Sequence, residues 1–163
     1  MDSLEIKLIE EYEIAEVVDL IKTTCNHSSF LGFYPQSEVD KITTSLDYDG
    51  VKRRASWTHF YVFKLNNKVV GCGAIGPYWG SETESSLFTI FVNPNYQHKG
   101  IGRKIIETLE NDEYFKRAKR IEIPASMLAL PFYKKMGYEH KNGVLNFSEG
   151  HFAVEKFNKN IIK

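Results

Sequence analysis

The chain has 163 residues, 42% of them hydrophobic and 26% charged, which is typical of one folded globular domain and excludes intrinsic disorder, collagen and coiled coil. Because 21 Lys and Arg balance 21 Asp and Glu, the overall charge gives no reason to expect nucleic acid or a membrane surface as a partner. Two cysteines are too few for a disulfide framework, and the acidic N-terminal segment does not resemble a secretory signal. We therefore expect a cytoplasmic protein.

The apolar pattern predicts elements in the order β-α-α-β-β-β-α-β-α-β, a mixed α/β or α+β single domain. Alternating apolar and charged residues over 4–8 predict the first strand, and helical spacing predicts a helix from Glu13. A second helix is predicted from Ser37, where Asp40 three residues on resembles a capping box. The later elements are strands over 57–65 and 69–75 joined by an Asn66–Asn67 turn, a buried strand over 87–92, a helix over 101–109, a strand over 120–123, a short helix over 129–136 and a strand over 152–157.

The first glycine-rich segment, residues 71–76, is a literal match to the dinucleotide-binding pattern G-x-G-x-x-G. That pattern binds a pyrophosphate only where its turn opens a helix, because the helix N-terminus then faces the anion. Here Pro77 and Gly80 follow, and no amphipathic helix begins there. We therefore interpret these residues as small residues of a strand that packs tightly against a neighbour.

A second glycine-rich segment, residues 97–104, follows the buried strand and leads into the third predicted helix. Gly100 and Gly102 leave room for an anion to approach the backbone, and the N–H groups that begin a helix attract negative charge. The segment lacks the Gly-Lys-Ser/Thr of a Walker A loop. Its basic residues, with no acid among them, are Lys99, Arg103 and Lys104. Phosphate binding and a glycine-rich connector with a solvated basic face are both open readings.

The third segment, residues 129–139, predicts a short helix that ends at Gly137. Its aromatic residues fit the buried face of such a helix. Alternatively, a tyrosine such as Tyr133 has the chemistry to protonate a leaving group. The residues of this segment alone do not decide between packing and catalysis.

Together and in this order, the second and third segments resemble the two cofactor motifs of the GNAT superfamily of acetyl-CoA-dependent N-acetyltransferases. Residues 91–104 resemble the pyrophosphate-binding motif and its preceding strand, residues 129–138 resemble the second motif, and the close match covers about residues 86–139. The resemblance implies one N-acetyltransferase domain over 1–157, with a mixed, mostly antiparallel sheet flanked by helices, and a short basic tail over 158–163. It also implies acetyl-CoA as cosubstrate and an amine as acceptor. No metal is expected, because the histidines share no ligand spacing with each other or with cysteine.

The resemblance further implies a role for each matching residue. The backbone N–H groups from His98 to Arg103 would hold the coenzyme A pyrophosphate, and the backbone of Val92 would pair with the pantetheine arm. The backbone N–H of Ile90 would bind the acetyl carbonyl oxygen as an oxyanion donor, and Tyr133 would be the general acid that protonates the departing thiolate. The implied cofactor residues are Ile90, Val92, Gln97, His98, Lys99, Gly100, Ile101, Gly102, Arg103 and Ser126.

The chain departs from the family pattern at two positions. Ser126 stands where many members have an asparagine that contacts the cofactor, and Ser86 stands where many have a glutamate general base. Glu84 lies two residues before Ser86 and would share its face if the strand extends that far. The identity of the base is therefore open, with Glu84 or His27 acting through water as the candidates.

Residues in two segments without regular periodicity are the candidates for the acceptor pocket. They are His27, Phe30, Phe33, Tyr34, Tyr78 and Trp79. For each aromatic residue taken singly, ordinary anchoring of a loop is an equally good interpretation. Glu82 and Glu84 would attract a cationic amine, although two surface acids define no substrate.

The remaining candidate residues favour structural interpretations. The five histidines share no metal-ligand spacing, and Cys72, flanked by glycines, is better explained as a buried small hydrophobe than as a nucleophile. The basic run 116–120 is better explained as a solvated helix end than as a nucleic-acid contact, while contact with the coenzyme 3′-phosphate stays open.

We therefore predict an enzyme that transfers acetyl from acetyl-CoA to a primary amine by direct attack. The alternative is a non-catalytic acyl-CoA-binding module of the same fold, with a regulatory or partner-binding role. A phosphate-binding module for nucleic acid would need a broad basic surface that the charge balance does not favour. The acceptor is not identified by the sequence, and the choice between a monomer and a homodimer is open.

Overall fold

The structure is a computed structural model and describes residues 3–158. The contacts divide these residues into a first unit, residues 3–74 and 89–105, and a second unit, residues 75–88 and 106–158. The predicted tail, residues 158–163, lies outside the described residues apart from Asn158. The predicted domain limits stay a prediction.

Within the described residues, eight strands form one sheet. They are β1 (Glu5–Leu8), β2 (His59–Leu65), β3 (Lys68–Pro77), β4 (Glu84–Val92), β5 (Arg120–Ala125), β6 (Glu139–His140), β7 (Phe147–Ser148) and β8 (His151–Phe157). Their order is β1-β2-β3-β4-β5-β8-β6, with β7 paired to β8. Strands β4 and β5 run parallel, whereas β1–β2, β5–β8, β6–β8 and β7–β8 are antiparallel. The predicted mixed, mostly antiparallel sheet with flanking helices is confirmed.

The α-helices are α1 (Ile14–Cys25), α2 (Ser28–Leu31), α3 (Gln36–Ser45), α4 (Tyr48–Trp57), α5 (Ile101–Glu110), α6 (Glu113–Lys116) and α7 (Leu130–Lys135). Short 3₁₀ turns cover Glu11–Glu13, Pro94–Tyr96 and Lys141–Gly143. Within residues 3–158, none of the helices combines the length and the hydrophobicity that crossing a bilayer requires.

In the first unit, α1 packs against α3 and α4 and buries the apolar positions that predicted it, among them Val17, Ile21 and Cys25. The hairpin between β2 and β3 turns at Asn66 and Asn67, both in the left-handed region with φ 50° and 64°, as the predicted two-residue turn requires. Buried pairs such as Lys64 with Glu13, 2.8 Å apart, tie the end of β2 to the turn before α1.

The literal dinucleotide pattern over 71–76 lies inside β3, so the interpretation of these residues as part of a strand is confirmed. A Cβ atom on Gly71 would lie 3.2 Å from side-chain atoms of Ile101 and Ile105, and 3.3 Å from the carbonyl oxygen of Phe91. The glycine is therefore needed because helix α5 and strand β4 approach its backbone closely.

In the second unit, β5 pairs with β8 along the whole of β5, from Arg120 to Ala125. Buried residues of β4, β5 and β8, such as Leu87, Ile121 and Val154, form the core of this unit. Helix α7 ends at Lys135, and Gly137 two residues later has a left-handed φ of 99°, which matches the prediction that a glycine terminates this helix.

The ten predicted elements occur in the predicted order, but the prediction is incomplete, most of all in the middle of the chain. Helix α4 was not predicted, and Trp57 ends that helix rather than beginning a strand. Only Gly50 and Val51 of α4 are buried, so its apolar pattern is too sparse to predict a helix. Helices α2 and α6 and the short strands β6 and β7 were also not predicted, since none of them exceeds four residues.

The start of α3 also differs from the prediction. The helix begins at Gln36 behind Pro35, and no side chain caps it, so Ser37 lies within the first turn. The Ser37–Asp40 capping box is therefore wrong. Pro35 is the N-cap residue with a φ of −69°, the value to which its ring restricts it, and its side chain has no acceptor for the first N–H groups of the helix.

Candidate functional site

The loop between β4 and α5 lies in the first unit and reverses the chain with two left-handed residues. The side chain of Asn93 accepts a hydrogen bond from Asn95 N–H at 2.9 Å, which starts the turn. His98 has φ 62° and Gly100 has φ 82°. The carbonyl oxygen of Gly100 then accepts from Lys104 N–H at 3.1 Å and begins α5. We call residues 97–103 the glycine loop.

The glycine loop presents positive charge to solvent. Residues 97–100 are exposed, as are Arg103 and Lys104, and the first turn of α5 holds no acid. The N–H groups of the first helical residues have no partner inside the helix, so they point at whatever lies beyond the helix end. No described atom lies within 4 Å of a Cβ placed on Gly100, so the glycine is needed for its backbone angle rather than for tight packing.

Strand β4 leads into this loop with an edge that β5 covers only in part. In the described residues, the parallel register between β4 and β5 covers Glu84, Ser85 and Ser86 and goes no further along β4. At the end of β4, the side-chain amide of Gln97 donates to the carbonyl oxygen of Val92 at 3.2 Å. Gln97 therefore ties the loop to the strand that precedes it.

Thr89 interrupts β4 with a φ of 56°. Its carbonyl oxygen accepts from the thiol of Cys72 at 3.2 Å, and its hydroxyl accepts from Arg54 Nη1 at 3.1 Å. Cys72 is fully buried, and burial raises the pKa of its thiol to about 12, so the thiolate is absent near neutral pH. Both contacts fix the backbone immediately before Ile90.

An ion cluster in the second unit surrounds Arg120. Its guanidinium lies 3.2 Å from Glu84, 2.8 Å from Glu122 and 2.9 Å from Glu155. Burial opposes its charge, but hydrogen bonds to these three carboxylates raise the pKa of Arg120. Lys141 adds a second cation 3.0 Å from Glu122. We call Arg120, Glu84, Glu122, Glu155 and Lys141 the Arg120 cluster.

The two base candidates are each occupied by other contacts. Strand β4 extends to Glu84, as its proposed role requires, but the Glu84 carboxylate is bound to Arg120 and its side chain is 36% exposed. His27 precedes α2, and its Nδ1 accepts from Ser29 N–H at 3.1 Å. The hydroxyl of Ser86 donates to the carbonyl oxygen of Glu122 at 2.9 Å, so it holds β4 against β5.

Tyr133 lies on α7 in the second unit and is 5% exposed. Its ring packs against Phe132 with centroids 5.7 Å apart. Burial raises the pKa of Tyr133, so the hydroxyl keeps its proton across the physiological range. Ser126 accepts a hydrogen bond from Ala129 N–H at 3.1 Å and thereby starts the turn that leads into α7.

The structure separates the aromatic candidates into buried and exposed groups. Phe30 and Tyr34 are buried and stack with ring centroids 4.9 Å apart, so they anchor the segment between α1 and α3. Phe33 is 47% exposed and Trp79 is 76% exposed. The guanidinium of Arg120 lies over the ring of Tyr78, 5.0 Å from the ring centroid, so Tyr78 packs against the Arg120 cluster.

The basic run 116–120 is not uniformly a solvated helix end, which corrects part of the sequence prediction. Arg117 donates to the carbonyl oxygen of Ser81 at 3.0 Å, and Arg120 is buried in its cluster. Lys116 and Lys119 are exposed as predicted. Among residues 3–158, no three His, Cys, Asp or Glu side chains come together in a way that could hold a metal ion.

Sequence reasoning missed Arg54, Glu122 and Glu155. Arg120 and Glu122 alternate with isoleucines in a short run, and this charged period-two pattern could have indicated a polar face on β5. Nothing in the sequence distinguishes Arg54 from the exposed Arg53 beside it.

Comparison with known proteins places these features in a family. A family profile described as an acetyltransferase (GNAT) domain matches residues 56–140, just over half of the chain. No curated protein matches the sequence closely enough to count as a relative.

Solved structures share the fold at low sequence identity. The PaiA N-acetyltransferase of Thermoplasma acidophilum, solved in complex with coenzyme A, is 14% identical with a TM-score of 0.81, over 96% of this chain and 99% of its own. A GNAT-family acetyltransferase of Staphylococcus aureus Mu50 is 13% identical with a TM-score of 0.72, over 95% and 99% of the two chains. An acetyltransferase of Streptococcus agalactiae is 21% identical with a TM-score of 0.69, over 97% and 100%.

Proposed function

Since the chain belongs to the GNAT acetyltransferase family, we propose that it transfers the acetyl group of acetyl-CoA to a primary amine by direct attack. The amine nitrogen attacks the thioester carbonyl carbon, the new C–N bond forms, and the C–S bond breaks. The sulfur leaves as a thiolate and takes one proton, and the nitrogen loses one proton to a base. The products are an N-acetylated amine and coenzyme A.

The observation that carries this proposal is the glycine loop. Left-handed His98 and Gly100 turn the chain directly into the N-terminus of α5, and the exposed side chains around them are basic. The N–H groups at the start of a helix have no partner inside it, and with Lys99 and Arg103 nearby in sequence they suit the doubly charged pyrophosphate of coenzyme A. We propose that residues 97–103 hold this group. Gln97 contributes by fixing the start of the loop, through its hydrogen bond to the carbonyl oxygen of Val92.

The part of β4 beyond its pairing with β5 suits the rest of the cofactor. An extended pantetheine arm carries amide groups that can bond to a strand edge as another strand would. We propose that the backbone of Val92 binds this arm and that the N–H of Ile90 binds the acetyl carbonyl oxygen. As negative charge develops on that oxygen, a preoriented N–H stabilises it more than water does.

Tyr133 is the proposed general acid. Its buried hydroxyl holds its proton, which a donor must do, but a raised pKa also makes that proton harder to give up. A thiol has an ordinary pKa of about 8.5, well below that of a buried tyrosine. Proton transfer from Tyr133 to the thiolate is therefore favourable only if the thiolate is also removed from water, which raises the pKa of the thiol. Burial of Tyr133 supplies that environment. Ser126, in the position of the family's asparagine, acts on the cofactor through the start of α7.

A base is needed because an amine has a pKa near 10 and is mostly protonated at neutral pH. Of the two candidates we favour Glu84, whose side chain is 36% exposed and therefore reached by water. The Nδ1 atom of His27 is already bonded at the start of α2. Phe33, Tyr78 and Trp79 are the proposed acceptor contacts, while the buried Phe30 and Tyr34 shape the segment that carries Phe33.

A second candidate function is a module that binds acyl-CoA without catalysis. It is favoured by the contacts of Ser86 and Glu84, since the Ser86 hydroxyl is bonded to a backbone carbonyl and the Glu84 carboxylate is bonded to Arg120 rather than to an amine. The glycine loop would serve this function equally well.

Thiol release from acetyl-CoA across a panel of amines tests the proposal. Release that depends on one class of amine, together with a higher melting temperature in acetyl-CoA than in NAD or ATP, is the expected result, because a ligand of the folded state stabilises it. Stabilisation by acetyl-CoA without release with any amine would favour the binding module. Greater stabilisation by NAD than by acetyl-CoA would contradict the role of the glycine loop.

A further inference from the structure

Thr89 adopts a backbone conformation that its side chain disfavours. A φ of 56° is left-handed, and for a β-branched residue inside a strand this is a rare and strained state. Glycine would adopt the same angle at little cost. The chain therefore keeps a strained threonine where a glycine would relieve the strain.

The strain marks a β-bulge in β4. The N–H of Tyr78 donates to the carbonyl oxygen of Glu84 at 3.0 Å, and the N–H of Asn93 donates to that of Val70 at 2.8 Å. Between these two bonds β4 has one residue more than β3. An extra residue in one strand re-aims the backbone groups beside it. The residue immediately after Thr89 is Ile90.

Two side chains of the first unit hold Thr89 in place. The guanidinium of Arg54, on α4, donates to the Thr89 hydroxyl at 3.1 Å, and the thiol of Cys72, on β3, donates to the Thr89 carbonyl oxygen at 3.2 Å. Arg54 also lies over the ring of Trp57, 5.4 Å from its centroid, which limits its own freedom. A helix and a neighbouring strand thus fix the side chain and the backbone of the same residue.

We propose that Arg54 is a positioning residue, which holds Thr89 in its left-handed conformation and so orients the Ile90 N–H toward the acetyl carbonyl oxygen. This inference rests on the proposed function, because it assigns Arg54 a part in the same oxyanion contact. Threonine serves at this position, where glycine would not, because its hydroxyl accepts the hydrogen bond from Arg54. Cys72 assists through the carbonyl oxygen of Thr89.

The inference predicts a specific kinetic pattern for Arg54→Met. Loss of a whole oxyanion donor lowers kcat by about 10²–10³-fold, and a misaimed donor should cost less, about 10–100-fold. The KM for acetyl-CoA should stay within about twofold, because the glycine loop is untouched. Arg53→Met is the matched control, since Arg53 is the exposed arginine next to it, and its activity should equal that of the wild type.

A double-mutant cycle separates positioning from general stability. Thr89→Gly adopts the left-handed angle without help, so in that background Arg54→Met should lower kcat by less than about threefold. If Arg54 had only a structural role, Arg54→Met would lower kcat by the same factor in both backgrounds. Equal costs, or a wild-type kcat in Arg54→Met, would overturn the inference.

A readout on the protein itself keeps this test distinct from the test of the proposed function. The backbone coupling constant and carbon shifts of Thr89 report its φ by NMR, with or without catalysis. We expect the left-handed signature in the wild type and in Thr89→Gly at this position, and its loss in Arg54→Met. An unchanged signature in Arg54→Met would overturn the positioning role even if the enzyme transfers acetyl. A wild type inactive with every amine would overturn the proposed function. The NMR result would still decide whether Arg54 holds Thr89 in its left-handed conformation.

Discussion

The glycine loop and the Arg120 cluster use charge in opposite ways. The loop is exposed, and the first turn of α5, into which it leads, contains no acidic residue. Its shape comes from two left-handed backbone residues. The cluster is largely buried, its cations bind three carboxylates, and its shape comes from side chains of β4, β5 and β8. Exposed charge is available for a ligand, whereas buried charge that carboxylates neutralise is committed to the fold.

This difference means that the same type of substitution should have opposite effects in the two regions. Removing a cation from the loop should weaken ligand binding and leave stability alone, since surface substitutions usually change it by less than about 0.5 kcal/mol. Removing Arg120 from the cluster should make the protein easier to unfold, because the buried Glu155 would lose its ion-pair partner.

The largest expected effect is therefore that of Arg120→Met. We expect a loss of about 3–5 kcal/mol in the free energy of unfolding, the usual cost of breaking a buried ion pair from one side. Urea denaturation would measure it. Lys99→Met in the glycine loop is the control and should leave the unfolding free energy unchanged. A loss below 1 kcal/mol for Arg120→Met would break the comparison, because the cluster would then not be structural.

Tyr133→Phe sharpens the comparison, since it concerns a buried side chain with a proposed chemical role. We expect kcat to fall by about 10²-fold, the low end for general acid catalysis, because a thiolate needs its proton less than an alkoxide does. Tyr138→Phe is the matched control. The Tyr138 hydroxyl donates to Glu110 at 2.8 Å, so this variant should lose stability and keep kcat. Wild-type turnover in Tyr133→Phe would remove Tyr133 from the mechanism.

Gly100→Val tests whether the backbone of the loop, rather than its charge alone, binds the cofactor. A left-handed valine costs about 1–3 kcal/mol, so the loop should rearrange and the affinity for coenzyme A should fall about 10–100-fold by calorimetry. Gly143→Val is matched, because Gly143 also has a left-handed φ, 71°, and open space beside it. It should show a similar strain and an unchanged affinity. Equal affinities in the two variants would contradict a backbone-based site.

The smallest expected effect is on the pH profile. Burial raises the pKa of Tyr133 above its usual value near 10, so the protonated donor is present below that raised value and lost only above it. Because the amine has a pKa near 10, we expect kcat to rise with pH up to pH 10, with no descending limb. A descending limb between pH 8 and 10 that is absent in Tyr133→Phe would show that Tyr133 titrates as an unburied tyrosine.

What the sequence predicted is what local patterns determine. The Asn66–Asn67 turn depends on two adjacent residues with an intrinsic tolerance of left-handed angles, and the glycine loop depends on a short segment between a buried strand and an amphipathic helix. Both were found because a few neighbouring residues carry the whole signal. Recognition of the family followed from two such segments.

What the sequence did not predict depends on residues far apart in the chain. Arg120 and Glu155 are 35 positions apart and meet because β5 and β8 pair in one register. Arg54 and Thr89 are also 35 positions apart, and no local pattern marks either residue. Helix α4 was missed because it is polar on most faces and forms through its packing against α1.

The central claim, direct acetyl transfer, is tested most directly by counting both products of one reaction. The protein would be incubated with acetyl-CoA labelled with ¹³C in the acetyl group and with the best amine found, and the free thiol and the labelled amide would be quantified by absorbance and mass spectrometry. We predict one labelled amide for every thiol released, at a rate that depends on the amine. Thiol release without labelled amide, or acetyl-CoA binding with neither product, would contradict the claim.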